Sequence, residues 1–522
     1  MAMMIQQIKK IAFSLGIFLI AACSELTEVP DFINPNTFYQ SAAELELGVN
    51  AVYDDLNSRG FGYFYDRYVF ECLVGYQVGW EKGPLQYNLG NVDPANEYIE
   101  DYWGICYRSI NRANAVIEVA DQLEDPGNEA LIQRLKAEAM FLRSFYYYSL
   151  LSYFDNPPLL VGSTQNLDNL PSNSGGKRAV LDQIIADAWT AGEVLPESYP
   201  ASDAGRATKW AAKAVLMKAH LWDENWSAAR ETAEEIISTS GIQLFEDFSH
   251  NFDLAHENQG ERIFEAQVSA SANPSEYSVH SAHFNPEDFP SQLGGSGWSW
   301  LSATQEFRAA YHPDDKRIEG TFIESYPTGR LGLVNGTYPM VHWSATADYN
   351  LSRFGGVVRA DANPNDPKQM VFGKAWSAKL TELDKHNAQT EKNTVYIRFA
   401  DVLLGHSEAC NENGQGDPLM GINKVRTRAG LASLPTGMGQ DELRDAIIHE
   451  RMQEFVFEQV MYAELRRKSK FGGSPDYLGD QIRHFSEKYN LGRTVKTSDY
   501  VLPLPLKELQ GNPNVTQNPE WQ

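Results

Sequence analysis

The chain has 522 residues, of which 43% are hydrophobic and 22% charged, values typical of a globular protein and far from those of disordered chains. Its 69 acidic residues outnumber 44 basic ones, so the net charge at pH 7 is −25, which disfavours nucleic acid and anionic membrane surfaces as partners. Aromatic residues reach 12%, a surplus that points to a large core or to a binding surface.

An apolar run from Ile11 to Ala22 follows two lysines near the N-terminus. A bilayer core about 30 Å thick requires roughly 20 apolar residues in a helix, so this run is too short to span a membrane. The pattern predicts a secretory signal peptide over residues 1–22, with a short buried helix as the alternative. The sequence Ile-Ala-Ala-Cys that ends at Cys23 resembles a bacterial lipobox, which predicts that Cys23 is acylated, with palmitate among the chains expected, and anchors the protein. The polar residues 23–40 then form a lipid-anchored tether.

The other cysteines, Cys72, Cys106 and Cys410, show no Cys-x-x-Cys spacing. They therefore indicate neither a zinc site nor a full disulfide framework. A bridge between Cys72 and Cys106 stays open at this stage.

The clearest helical signal lies in residues 129–154, EALIQRLKAEAMFLRSFYYYSLLSYF. Apolar residues from Leu131 to Tyr153 recur at spacings of three and four and form one stripe along a helix. The sequence Asn156-Pro157-Pro158 ends the pattern, because proline lacks a backbone donor and disfavours helix in the residue before it. Similar periodicity predicts helices over residues 41–56, 103–122, 179–194, 207–222, 226–238, 395–411, 418–428 and 441–467.

Two of these segments, 207–222 and 226–238, flank a short turn and carry alanine at positions where the helices would touch. Such a pair resembles the tetratricopeptide unit of about 34 residues, whose copies stack into a scaffold. The pairs 103–122/129–154 and 395–411/418–428 have a similar arrangement without a strict period. We predict a mainly α protein built on a tetratricopeptide-like helical-repeat scaffold.

Residues 240–394 are rich in Ser, Gly, Pro and Asn and show no helical stripe. Residues 262–268 and 333–341 are predicted as short strands. Long irregular stretches in a compact protein usually carry function. The expected architecture is a helical scaffold over about 41–239 and 395–522, interrupted by a loop-rich ligand-face insert over about 240–394.

The sequence contains partial matches to motifs of common enzymes and metal sites, but each motif lacks an essential residue. Trp298 replaces the second glycine of a nucleophile elbow, and Gln453 replaces the second histidine of a zinc-protease helix. A calcium-loop pattern that starts at Asp361 lacks its turn glycine and its final acid. We predict no catalytic residue, no metal site and no cofactor, although a carboxylate pair of a glycoside hydrolase would leave no mark in sequence spacing.

Aromatic residues stand out in the irregular parts of the chain. An exposed indole can stack on a sugar ring while neighbouring amides bind its hydroxyls, although the same side chains could cover the core beneath loops. The candidate ligand-binding residues are Trp80, Tyr87, Asn88, Trp298, Trp300 and Trp343.

Seven sequence blocks in chain order resemble the SusD/RagB family of outer-membrane nutrient-binding lipoproteins, and together they extend over essentially the whole chain. They cover residues 102–114, 137–160, 205–222, 396–412, 422–431, 449–458 and 502–521, of which AEAMFLRSFYYYSLLSYFDNPPLL at 137–160 is the most recognisable. One position departs from the family pattern: Gln459 stands where members usually have glycine. The resemblance implies that residues 41–522 form a single SusD-like domain.

The resemblance also implies a non-enzymatic, starch-binding-type lipoprotein at the cell outer membrane, which faces the cell exterior and contacts the membrane only through its lipid anchor. Such a protein captures oligosaccharides and delivers them to a SusC-like TonB-dependent outer-membrane transporter. RagB-like relatives handle peptides, so a peptide-binding uptake receptor is the alternative, and a glycoside hydrolase is a less favoured one. Family motifs mark the scaffold, so the candidate ligand residues rest on the aromatic argument alone.

Four charged residues in the matched blocks lie within predicted helical stripes: Arg143, Arg398, Asp401 and Glu408. At such positions we expect buried ion pairs rather than ligand contacts. Because Asp401 follows Arg398 by three residues in one predicted helix, we predict that these two pair with each other.

Overall fold

The computed structural model describes residues 39–522 apart from 63–65, 80–81, 165–169, 270–278, 287–288, 291–292, 294–296, 328–332, 339, 343–373 and 382–389. The helices before the insert are α1 (Ala42–Asp54), α2 (Asp66–Glu71), α3 (Lys82–Asn88), α4 (Glu97–Ala120), α5 (Glu129–Tyr153), α6 (Gly176–Val194), α7 (Lys209–Trp222) and α8 (Trp226–Thr239). Those in and after it are α9 (His280–Phe284), α10 (Gln305–Ala309), α11 (Arg317–Thr321), α12 (Phe399–Asn413), α13 (Pro418–Arg428), α14 (Gln440–Phe455), α15 (Met461–Arg467), α16 (Tyr477–Lys488) and α17 (Leu506–Gly511).

The scaffold is a continuous stack of neighbouring helices. Helices α4 to α8 pack in chain order, each on its neighbour. Helix α8 then packs on α12, which in turn packs on α13. Helices from the two ends of the sequence therefore share one stack across the insert. This arrangement confirms the predicted mainly α, tetratricopeptide-like fold.

Most predicted helices agree with the structure to within a few residues, and local chemistry explains their ends. Helix α5 ends at Tyr153 and its C-cap Phe154 is extended, two residues before Asn156. The Ser41 hydroxyl caps α1 by accepting from the Glu44 amide at 3.3 Å, and Thr208 caps α7 in the same way. Two predictions are wrong in part: residues 395–398 form a strand, and residues 441–467 form two helices.

The break between α14 and α15 comes from two residues with left-handed backbone, Phe457 (φ 67°) and Gln459 (φ 61°). Phe457 is fully buried, so tertiary packing holds this strained turn. Gln459 thus adopts the backbone region that glycine favours, and its carbonyl accepts a hydrogen bond from Tyr153 Oη at 3.2 Å. The turn keeps a glycine-like geometry although the glycine itself is replaced.

The short strands pair antiparallel in three groups: β1 (Gln77–Gly79), β3 (Leu301–Thr304) and β6 (Lys374–Ala375); β2 (Arg262–Ala266) and β7 (Thr394–Arg398); β4 (Ser325–Pro327) and β5 (Met340–His342). The predicted strand at 262–268 is confirmed over its first five residues. The predicted strand at 333–341 is wrong over most of its length, since Val334 and Thr337 exchange backbone hydrogen bonds across a tight turn at Asn335-Gly336.

Buried ion pairs connect the scaffold to the insert. Glu454 on α14 is fully buried and accepts from Arg398 at 2.9 Å, from Arg317 at 3.0 Å and from Arg428. Burial alone would raise the pKa of Glu454, but the three guanidinium groups outweigh it and hold this pKa well below its ordinary value. The carboxylate therefore stays charged and joins β7, α11, α13 and α14.

A second buried cluster links α12 to α14 and α15. Asp401 pairs with Lys218 and, at 2.7 Å, with Arg451, while Glu408 pairs with Arg467. Asp401 and Arg398 thus belong to different clusters, and their predicted mutual pair is wrong. The reason is that Arg398 is the last residue of β7 and extended, so the two side chains do not share a helix face.

The four charged residues singled out in the sequence are all buried and ion-paired, as expected. Arg143 makes a bidentate pair with Asp187, at 2.7 and 2.8 Å, which ties α5 to α6. Cys72, Cys106 and Cys410 are free and buried, so the Cys72–Cys106 bridge left open above is not formed. In the described part of the chain, no helix combines the length and the apolarity that crossing a membrane requires.

Candidate ligand-binding platform

Two tryptophans and a histidine form an aromatic cluster in the insert, which we call the platform: Trp298, Trp300 and His283. The two indole centroids lie 5.4 Å apart with an interplanar angle of 41°. The His283 ring lies 4.9 Å from Trp298 and 5.0 Å from Trp300. Trp298 is 37% exposed, Trp300 is half-buried, and His283 is fully buried beneath them. The arrangement leaves the Trp298 indole partly exposed to solvent beside a buried imidazole.

Backbone hydrogen bonds fix the two indoles over helix α9. The Trp298 amide donates to Ala282 O at 2.7 Å, and the Trp300 amide donates to His283 O at 2.9 Å. Between them, Ser299 has a left-handed backbone with φ 60°, a conformation that costs a non-glycine residue about 1 kcal/mol. Strain of this kind is retained where surrounding contacts over-determine the backbone, often at functional sites.

The support under the indoles carries no charge at neutral pH. Burial lowers the pKa of His283 well below its ordinary value, and the neighbouring His280 lowers it further. A neutral imidazole suits an aromatic cluster that binds an uncharged ligand. Sequence reasoning missed His283, which lies 15 residues before Trp298 and gives no local signal.

The structure places the remaining predicted ligand residues in two groups. Trp80 and Trp343 lie outside the described residues, as do the Asp361 loop, Cys23 and the whole of residues 1–38. Tyr87 and Asn88 are described and are fully buried.

Tyr87 and Asn88 do not present ligand contacts, and their prediction is corrected. Asn88 Oδ1 accepts from the Gly79 amide at 2.9 Å, and its Nδ2 donates to Cys72 O and Gln77 O at 2.7 and 2.9 Å. Tyr87 packs on the ring of Phe70 at 5.7 Å. The glycine-rich sequence around them folds into α3 and β1, where the Asn88 amide satisfies backbone groups of β1 and Tyr87 Oη donates to Asn96 Oδ1 at 3.1 Å.

Two concavities of the described surface lie apart from the platform residues. A cleft of about 440 Å³ is bounded by α1, residues 202–206 and the end of β2, and a polar depression of about 600 Å³ adjoins it. Asn50 and Gln267 line the cleft.

Among the described residues, two groups of metal-ligating side chains converge, and neither includes a platform residue. They are Glu234, His406 and Cys410, and His250, Asp253 and His256.

The architecture sets the class of the protein: a helical-repeat scaffold with an irregular insert that carries an exposed aromatic platform. Residues 260–521 match the family described as the SusD family, and residues 76–221 match one described as "Starch-binding associating with outer membrane". The chain belongs to the SusD family.

Curated and solved relatives agree over nearly the whole chain. SusD-like protein P2 of Formosa agariphila is 26% identical, with 98% of each chain covered. Surface glycan-binding protein A from Bacteroides uniformis has a TM-score of 0.72 at 21% identity and covers 92% of this chain and 100% of its own. A structure titled "Laminarin binding SusD-like protein" has a TM-score of 0.70 at 22% identity, with 92% and 100% covered. At these low sequence identities, the two structural similarities show a shared fold.

Proposed function

We propose that the protein is a surface glycan-binding lipoprotein, which captures oligosaccharides on the platform and delivers them to a TonB-dependent outer-membrane transporter. The observation that carries the proposal is the exposed Trp298 indole, held beside Trp300 over a neutral His283. The C–H face of a sugar ring is apolar and stacks on such an indole. Hydrogen bonds from nearby polar groups then orient the hydroxyls.

Family membership and the relatives support the same class of ligand. The two structural relatives above carry titles that name glycan binding and laminarin binding, and one matched family is described as starch-binding. The net charge of −25 also favours neutral ligands over anionic ones. We propose no catalytic role for the platform, which is built of two indoles and a buried imidazole.

We further propose that Trp80 and Trp343 extend the platform. Gly79 pairs with Leu301 in the antiparallel sheet, and Trp80 directly follows Gly79 in the chain as Trp300 directly precedes Leu301. Trp343 follows β5, the second strand of the β4–β5 pair. More than one aromatic contact would suit an oligosaccharide better than a single sugar.

Isothermal titration of the purified protein against a panel of glycans and peptides tests the proposal. Trp298→Ala should weaken glycan binding by about 5- to 30-fold, because a lost stacking contact costs about 1–2 kcal/mol. The matched control is Trp189→Ala, which removes an indole that is 55% exposed on scaffold helix α6 and should leave affinity unchanged.

Two outcomes would contradict the proposal. Binding of peptides with silence across all glycans would favour the peptide-uptake alternative. Glycan binding that Trp298→Ala does not weaken would locate the ligand elsewhere, and variants of Asn50 and Gln267 would then test the 440 Å³ cleft.

The membrane anchor has a separate test. An alkyne fatty acid fed to cells should label the protein through Cys23, and Cys23→Ala should abolish the label because the acylated thiol is gone. Cys410→Ala is the control, since this buried thiol has no part in the anchor. Protease added to intact cells should cleave the protein, and full protection would contradict a position on the cell exterior.

A further inference from the structure

We propose that His250, Asp253 and His256 form a binding site for a divalent transition-metal ion, with Zn²⁺ as the best-matched ion. This site is independent of the platform and of glycan binding. Its three ligand atoms all lie within 4.8 Å of one another. The three residues, which we call the His-Asp-His cluster, follow each other at intervals of three in the chain at the start of the insert.

The geometry suits simultaneous coordination. His256 Nδ1 lies 2.7 Å from Asp253 Oδ1 and 2.8 Å from Oδ2. Two ligands of a tetrahedral Zn²⁺ ion, each about 2.1 Å from it, lie about 3.4 Å apart, so these atoms need to separate by about 0.6 Å when an ion replaces the hydrogen bond between them. The imidazoles of His250 and His256 stack with their centroids 3.8 Å apart and an interplanar angle of 16°, which brings both rings to the same carboxylate.

The cluster is held in place by contacts that do not depend on an ion. The two short 3₁₀ turns that carry it, Phe248–Phe252 and Leu254–His256, are capped by Asp247 and Asp253. The buried Arg262 donates to Asp253 O at 2.7 Å and to His250 O at 3.1 Å. The Phe245 ring meets both imidazoles edge-on, at 5.8 and 5.4 Å. A ligand set that is ordered in advance loses little entropy when it binds.

The donor set selects the class of ion. Two imidazole nitrogens and one carboxylate oxygen match the ligands of Zn²⁺, Cu²⁺ and Ni²⁺, whereas Ca²⁺ and Mg²⁺ prefer sites made of oxygen alone. All three residues are partly exposed, so an ion can enter from solvent, and three protein ligands leave a position for water. Asp247 adds negative charge beside both imidazoles. The pKa of Asp247 is lowered chiefly by hydrogen bonds from Ser249 and, to a lesser degree, by His250 and His256.

Titration of the purified, untagged protein with Zn²⁺ tests the site, with Ca²⁺ as the comparison ion. We expect one Zn²⁺ per chain at the cluster and no binding of Ca²⁺ there. His250→Ala, His256→Ala and Asp253→Asn should each weaken Zn²⁺ binding more than tenfold. The control is His312→Ala, which removes a histidine that is 61% exposed and lies 3.7 Å from Asp314 but belongs to neither convergent group among the described residues.

The second convergent group provides the competing result. If Cys410→Ser abolishes Zn²⁺ binding while His250→Ala and His256→Ala retain it, the ion belongs with Glu234 and His406, and the proposal is overturned. Spectra of the Co²⁺-loaded unmodified protein give the same decision without any variant. Visible absorption bands typical of Co²⁺ bound by nitrogen and oxygen ligands would support the His-Asp-His cluster. A thiolate-to-Co²⁺ charge-transfer band, or the absence of bound Co²⁺, would contradict the proposed site.

Discussion

Glu454→Gln should lower the free energy of unfolding by about 3–5 kcal/mol, the cost of leaving buried charges without a partner. Three guanidinium groups converge on this fully buried carboxylate, from Arg317, Arg398 and Arg428. The amide retains the shape and much of the hydrogen bonding but removes the charge. Because these partners join the scaffold helices after the insert to the insert itself, we expect a loss of stability that extends beyond one helix.

Urea unfolding followed by tryptophan fluorescence measures this effect at pH 7. The matched control is Glu442→Gln on the same helix, α14, where the side chain is exposed and the change should stay within about 0.5 kcal/mol. If Glu454→Gln costs no more than the control, the buried cluster does not hold the fold together.

The same carboxylates predict how stability depends on pH. Burial would raise the pKa of Glu408, but Arg467 and Lys468 outweigh it and lower this pKa to about 2, and the pKa of Glu454 is likewise depressed. A depressed folded-state pKa stabilises the fold above the unfolded value of 4.5, and this contribution is lost as the pH falls towards the folded value. The stability difference between the natural protein and Glu454→Gln should therefore shrink as the pH falls from 5 towards 2.

The helical scaffold could be predicted from the sequence because its helices are long and strongly periodic. Helix α5 begins at Glu129 and ends at Tyr153, within a residue of the predicted bounds. The break after Phe455 could not be predicted, since neither glycine nor proline marks it. A fully buried Phe457 with φ 67° interrupts the helix there, and only the packing of the finished fold compensates this strain.

The sequence predicted that these charged residues form buried ion pairs, but it did not predict which residues pair with each other. Burial of Arg398 and Asp401 follows from their place among apolar residues, whereas their partners come from helices and strands far apart in the chain. Sequence spacing favoured a pair within one helix, and this failed because β7 extends through Arg398 before α12 begins. Because Arg398 belongs to the strand and Asp401 to the helix that follows it, their side chains point in different directions.

The sequence predicted candidate site residues from their type, but it could not show which of them the fold would bury. Trp298 and Trp300, in a glycine-rich stretch, lie together in the structure, and their role in binding remains a prediction. Tyr87 and Asn88 come from a stretch of similar composition but are fully buried, because the Asn88 amide satisfies backbone groups at both ends of β1 and at Cys72. Composition could not distinguish these two cases.

Gly297→Ala should weaken glycan binding by about tenfold to a hundredfold, more than the loss of the Trp298 side chain alone. A Cβ at this position would lie 2.2 Å from Pro286 O and 2.7 Å from Asn285 O, so the backbone must shift. That shift displaces the Trp298 amide from Ala282 O and the Trp300 amide from His283 O, the hydrogen bonds that seat both indoles. One methyl group would thereby move the whole platform rather than delete one ring.

The measurement is titration with the glycan that the unmodified protein binds, together with the thermal unfolding midpoint. Gly511→Ala is the control, since a Cβ there meets nothing within 4 Å and the residue is exposed. We expect Gly297→Ala to lower the midpoint much less than Glu454→Gln does, because Trp300 is only partly buried where it packs against the main core and no buried charge loses its partner. If Gly297→Ala binds glycan as well as the control does, the indole pair is not the surface on which the ligand rests. A fall in the midpoint as large as the one expected for Glu454→Gln would instead show that residue 297 supports the core, and the loss of binding would then not report on the platform alone.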